Sequence, residues 1–176
     1  MRNPHLPMAH PLLHHARQVL AAYLAGRDWR ADVLPGSTRP SRGCFVSLKL
    51  SGRLRGCIGT VLPVQATLEE EVAHNAVAAA TRDPRFSPLR AAELGFVHLS
   101  IDVLTTPTPV ASPSELDALR YGVLLRSGSR IGVLLPDIPG VHSPEQQIAI
   151  CLEKAGLSPQ ADYALERFEV ERISES

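Results

Sequence analysis

Charge of a single sign is missing from this chain: eighteen Lys and Arg side chains balance eighteen Asp and Glu over 176 residues. No global field therefore steers the molecule toward DNA, RNA or an anionic membrane. Long apolar runs are missing too, and none approaches the roughly 20 residues that cross a bilayer. The first ten residues hold prolines and histidines rather than an apolar signal core. Cysteine is scarce, three residues without a CxxC pair, which excludes a disulfide framework. The wide spacing of Cys44, Cys57 and Cys151 matches no zinc pattern. Aromatics make up 5%, too few beside Arg39, Arg42, Arg53 and Arg55 for a nucleic-acid groove. No repeat, P-loop or dinucleotide fingerprint occurs. These absences predict a cytoplasmic protein with free thiols and no metal site.

What is present reads as an ordinary globular chain, 44% hydrophobic and 20% charged, sized for one domain over residues 1–176 or two small lobes. Residues 11–24 predict an amphipathic helix, with Leu12, Ala16, Val19, Leu20, Tyr23 and Leu24 at helical spacing and Gly26 as a stop. His10 and His14 lie four apart there, but no Asp, Glu or Cys is near in sequence to complete a metal site, so they read as a solvated helix end. A polar connector, 27–42, is broken by Pro35 and Pro40.

"CFVSLKL" (44–50) and "RLRGCI" (53–58) both alternate around Gly52 and predict a hairpin, around which a smaller lobe is expected over 43–61. A two-residue loop would set Val46 opposite Cys57 and Leu48 opposite Arg55, mixing apolar and charged partners. A three-residue loop puts Gly52 in the left-handed position and segregates the faces. Leu48 then meets Leu54, Val46 meets Gly56 and Cys44 meets Ile58. Lys49 faces Arg53, Ser47 faces Arg55, and Phe45 faces Cys57. In this register Cys57 leaves the core, and Cys44 stays in it.

Thr67-x-x-Glu70 is a capping box for a helix running to about residue 81, with Leu68, Val72, Ala76, Ala79 and Ala80 buried and Asn75 near the stripe's edge. "DPRFSPL" (83–89) ends it in a proline-braced loop. Arg85 there suits either a brace for the helix C-terminus or a planar fork for a carboxylate or phosphate. "FVHLSIDVL" (96–104) reads as a strand with Val97, Leu99, Ile101 and Val103 inward and His98, Ser100 and Asp102 outward. A Pro/Ser-rich link (105–113), a short helix and a second hairpin turned at Ser127-Gly128-Ser129 follow. A helix from Ser143 to Gly156 and a last strand, 165–173, complete the pattern. The fold class is α+β with a largely antiparallel sheet.

Cys57, flanked by Gly56 and Gly59 and preceded by Arg53 and Arg55, has three open roles. It is a small packed residue, part of a binding pocket that the glycines let a ligand approach, or a nucleophile whose thiolate the arginines favour. The last role also needs a base, and spacing places none of His74, His98 and His142 beside it.

"LRGCIGT" (54–60) followed by "NAVAAATRDPRFSPL" (75–89) resembles the AMMECR domain family, as do "GVLLRSGSRIGVLLPDIPGV" (122–141), "CLEKAGL" (151–157) and the closing "ERFEVERI". The resemblance covers about residues 12–173 and is closest to the bacterial and archaeal branch called AmmeMemoRadiSam system protein A. It implies an α+β fold with a larger and a smaller subdomain around a cleft, the signature lying near that cleft. Its signature falls on Arg55, Gly56, Cys57, Gly59, Asn75, Asp83, Pro84, Arg85 and Phe86. It implies a radical S-adenosylmethionine protein and a Memo-like protein related to dioxygenases as pathway partners. No reaction and no cofactor come with it. Position 100, acidic in some relatives, is Ser100 here, so no mechanism resting on that carboxylate carries over. The resulting expectation is a protein binding a small anionic ligand or a partner near Cys57. The alternatives are an enzyme with Cys57 as nucleophile and a nucleic-acid-binding regulator.

Overall fold

The computed structural model describes residues 10–32 and 40–175; Arg39 lies outside them. In chain order come α1 (Pro11–Leu24), β1 (Cys44–Leu50), β2 (Arg53–Thr60), α2 (Leu68–Thr81) and β3 (Val97–Leu104). β4 (Thr108–Val110), β5 (Gly122–Ser127), β6 (Arg130–Leu134), α3 (Pro144–Ala155), β7 (Ala164–Phe168) and β8 (Val170–Ser174) follow. The chain divides into two compact units, Met1–Val103 with Arg172–Ser176, and Leu104–Glu171. Each has its own four-stranded sheet, ordered β2-β1-β3-β8 in the first and β4-β7-β5-β6 in the second. The class is α+β with antiparallel sheets, as the sequence predicts.

The first unit starts where the sequence places it. His10 Nδ1 accepts from the Leu12 N–H at 3.3 Å, Pro11 opens α1, and Gly26 leaves it at φ +70°. His10 is thus a helix cap. α1 buries Leu12, Leu13, Ala16, Val19 and Leu20, while Tyr23 stays 38% exposed. The capping box of α2 forms on Thr67 and Glu70. These helices share one core with Cys44, Val46 and Leu48 of β1 and Val97, Leu99, Ile101 and Val103 of β3. Val97, Leu99, Ile101 and Val103 are buried as expected, with His98 exposed and Ser100 half-buried on the other face, but Asp102 there is buried and ion-paired with Arg172 at 2.7 Å rather than turned outward.

The hairpin register differs from expectation. Ser51 (φ 51°) and Gly52 (φ 77°) make a two-residue turn closed by the pair Leu50–Arg53. A bulge between Leu48 and Lys49 on the partner side then leaves Arg55 unpaired, and beyond it Leu48 meets Gly56, Val46 meets Ile58 and Ser47 meets Cys57. Phe45 therefore faces Gly59 rather than Cys57, and Ser47 faces Cys57 rather than Arg55. The extra residue restores the face that a plain two-residue turn would have reversed, so Cys57 still leaves the core. Nor does the hairpin found a smaller lobe: Cys44, Val46 and Leu48 form the floor of the core under α1 and α2 in the first unit.

The second unit packs α3 on β5 and β6 through Val123, Leu125, Leu134, Ile148, Cys151 and Leu152. Ser143 and Gln146 cap α3, and Gly156 ends it at φ +65°. Three local expectations change here. The link 105–113 contains the strand β4, and the short helix is a single 3-10 turn, Pro113–Glu115. The hairpin turn is Gly128-Ser129 alone, because Ser127 pairs with Arg130. The last strand is two, interrupted at Glu169, whose N–H donates to Thr105 Oγ1 at 2.9 Å and whose carbonyl accepts from Thr105 N–H. Among the described residues no helix is long and apolar enough to cross a membrane.

Candidate functional site

The face of the first sheet turned away from α1 and α2 carries the site. Register places Cys57 beside Ser47 and Ser47 beside Ser100, one row across β2, β1 and β3. Lys49 and His98 form the next pair along, Phe45 and Asp102 the pair on the other side. Ser47 Oγ donates to Cys57 Sγ at 3.1 Å. Cys57 is half-buried, whereas Cys44 and Cys151 are fully buried.

β2 is an edge strand, and its Cys57 N–H is taken by Asp83 Oδ2 at 2.9 Å. Asp83 belongs to the loop after α2, where Pro84 cannot continue the helix. The Phe86 N–H donates back to the Asp83 carbonyl, closing the turn. The Asp83 carboxylate is buried and held on both oxygens by Arg85, Nε at 3.0 Å and Nη2 at 2.7 Å. That fork, and then the N–H groups of Cys57 and Arg85, hold its carboxyl well below the usual carboxylate range against the opposing effect of burial. The Arg85 side chain remains 57% exposed, lies over the Phe86 ring at 5.4 Å and is within electrostatic range of Cys57. Its fork rests on Asp83 rather than on helix carbonyls, and Nη1 has no partner among the described residues.

Other expected residues are placed differently. Arg55 is the bulge residue, and its guanidinium binds Glu93 at 3.0 and 3.2 Å and the Ser87 carbonyl at 2.8 Å. It ties β2 to the loop after Arg85. Arg55 first, and then the Arg90 N–H, holds the Glu93 carboxyl down to about 2. Gly56 sits on the core face, where a Cβ would stand 2.2 Å from the Ala79 carbonyl oxygen of α2. Gly59 lies under the Phe45 ring, 2.3 Å from where its Cβ would be. Asn75 is buried on the core side too, donating to the Cys44 carbonyl at 3.0 Å and to Thr60 Oγ1 at 3.2 Å. The structure therefore brings together Cys57, Asp83, Arg85 and Phe86, and leaves Asn75 and Gly56 on the opposite face of the sheet. Among the described residues no histidine ring is hydrogen-bonded to Cys57, and His74 packs edge-on against Trp29.

Two carboxylates that organise this region were not singled out by sequence. Glu93 stands three residues after Arg90 at the start of the 3-10 helix Ala91–Phe96 and accepts the Arg90 N–H at 2.9 Å, half of a capping box whose missing Ser or Thr left no signature in sequence. Glu71 is fully buried, accepting from Thr60 Oγ1 and from the N–H groups of Val64 and Gln65 at 2.9 and 2.8 Å. In an acidic first helical turn nothing in sequence separates it from Glu69 and Glu70.

The sequence model of AMMECR1 matches residues 13–173, nearly all of the region containing both units. The chain belongs to the AMMECR1 family. A protein of Thermotoga maritima is 50% identical over 133 residues, covering 74% of this chain and 76% of that one. Protein CA_C1420 of Clostridium acetobutylicum is 41% identical over 170 residues, covering 94% of this chain but 36% of the relative, so the AMMECR1 region spans about a third of that longer protein. The crystal structure of the uncharacterized protein PH0010 from Pyrococcus horikoshii superposes with a TM-score of 0.81 at 28% identity, covering 94% of this chain and 90% of that one.

Proposed function

We propose that this AMMECR1 domain is a binding module whose recognition surface is the Cys57–Ser47–Ser100 row with Arg85 beside it. Its ligand is a small anion, or an acidic group presented by a partner protein. The observation that carries the reading is the state of Arg85. Its guanidinium is pinned by a buried carboxylate yet half-exposed, with Nη1 uncommitted among the described residues, and the same carboxylate accepts the Cys57 N–H. A prearranged arginine of this kind binds oxyanions well, because its donors lose little freedom on binding. Lys49, exposed on the same face, adds a second cation. Of the sequence-predicted arginines, Arg85 takes this role and Arg55 braces the loop. The resemblance to AmmeMemoRadiSam system protein A supports a setting in a pathway with a radical S-adenosylmethionine protein and a Memo-like protein.

Alkylation of Cys57 by uncharged iodoacetamide, followed by peptide mass analysis, reads the surface directly. Inorganic phosphate at constant ionic strength is expected to slow it saturably, and Arg85→Gln or Lys49→Gln to weaken that protection. Alkylation indifferent to phosphate and to both substitutions overturns the anion reading. A second reading, Cys57 as a nucleophile, is favoured by its being the one half-exposed thiol of three. It requires stoichiometric capture by an electrophilic substrate analogue that Cys57→Ser abolishes.

A further inference from the structure

We propose that the second unit holds a separate oxyanion-binding pocket centred on Arg167, suited to a small molecule bearing a carboxylate or a phosphoryl group. This site lies wholly within residues 104–171 and does not rest on the reading given for Cys57. A cavity of about 300 Å³ opens there, with Thr105, Thr106 and Thr108 on one side and Tyr121, Arg167 and Glu169 among its other walls. That volume is at the small end of ligand sites.

Charge decides what the cavity takes. Glu169 is its one lining carboxylate among the described residues, and it is ion-paired at 2.8 Å with Arg120, which is not part of the wall. Arg167 is its one lining cation and has no carboxylate partner among the described residues. The wall thus retains one uncompensated positive charge.

Arg167 is also held in place. Its Nη1 donates to the Glu115 carbonyl, and its guanidinium lies 4.5 Å from the centroid of the Tyr121 ring. The Arg120 guanidinium lies 4.9 Å from the same ring. The backbone that carries the ring is held in turn, since the Tyr121 carbonyl accepts from Gln147 Nε2, a fully buried side chain, at 2.8 Å. A planar fork fixed by stacking and one carbonyl keeps its remaining N–H groups for a ligand and needs little ordering on binding. Thr106 adds a hydroxyl with no protein partner among the described residues. An arginine fork beside a free hydroxyl matches a carboxylate or phosphate oxygen set better than it matches a cation or an apolar group.

Nuclear magnetic resonance on the full chain tests this with two probes, inorganic phosphate and acetate, titrated at constant ionic strength. The expected result is a saturable shift of the Arg167 Nε–H and of the Thr105, Thr106 and Tyr121 amides in at least one arm, and the arm that saturates identifies the source of the oxyanion. Arg167→Gln is expected to weaken binding about tenfold or more, and Arg167→Lys by several-fold, about the loss of one charge-assisted bond. Thr106→Val provides a check that leaves Arg167 and its carbonyl contact intact, with a smaller weakening expected. Shifts that rise linearly without saturation in both arms overturn the proposal. So does saturation that neither Arg167 variant alters. Failure here leaves the phosphate protection of Cys57 untouched, because that measurement reports on the first unit.

Discussion

Cys57 differs from the other cysteines in what surrounds its sulfur. Burial pushes the Cys44 thiol up to about 12 and the Cys151 thiol up to about 11, so both are neutral and inaccessible at neutral pH. Iodoacetamide near neutral pH is therefore expected to label Cys57 first in the folded protein, and equal labelling of all three would contradict it. Arg55 makes a different residue-scale prediction. Its bond to Glu93 lowers that carboxyl from an ordinary 4.5 to about 2. A lowered folded-state value means the pair's contribution is complete above the ordinary value and is lost as pH falls from there toward 2. Arg55→Ala should cost about 1.5–3 kcal/mol at neutral pH, the range for hydrogen bonds to charged groups. It should also flatten the acid limb of a stability–pH curve in that window. A variant as stable as the parent at neutral pH, with the same acid limb, would refute the brace.

Among elements, each unit seats a helix on a strand through one glycine. A Cβ on Gly56 would meet the Ala79 carbonyl oxygen at 2.2 Å, and one on Gly132 would meet the Cys151 carbonyl oxygen at 1.9 Å. Backbone carbonyls cannot rotate aside, so α2 or α3 must lift. Gly56→Ala and Gly132→Ala are each expected to cost about 3 kcal/mol, the upper part of the usual overpacking range. Denaturant unfolding with unchanged midpoints would show that the helices yield freely. The same contacts explain what sequence could and could not disclose. Helix starts were readable because caps are local: Thr67 with Glu70, and Ser143 with Gln146. The face of Cys57 was readable because a two-residue turn plus one bulged residue has the same parity as a three-residue loop. The register was not, since the bulge is stabilised by Arg55 reaching Glu93, thirty-eight residues away. Asn75 was legible for the same reason only as a polar residue near a stripe's edge, and the packed helix shows its amide bonded to Cys44 and Thr60. The break at Glu169 likewise depends on Thr105, far off in sequence.

At the scale of the whole molecule, each unit has its own main hydrophobic core among the described residues, and the first adds a small cluster around Trp29. The first gathers α1, α2, β1 and β3 around Val46, Leu48, Leu99 and Ile101; the second gathers α3 and its sheet around Val123, Leu125, Cys151 and Leu165. No residue is shared between these clusters. Contact energies within a core fall on the segment that forms it, and local opening follows such segments. Leu48 and Leu125 are both fully buried, one in each cluster. Truncating either to Ala is expected to cost about 2–5 kcal/mol, through lost transfer energy and the cavity left behind. The loss should be unevenly distributed. Native-state hydrogen exchange in Leu48→Ala should show reduced protection in β1 and β3 with β5 and β7 little changed, and Leu125→Ala should show the reverse. Protection lost to the same extent in both sheets of either variant would mean that the two cores open as one cooperative unit.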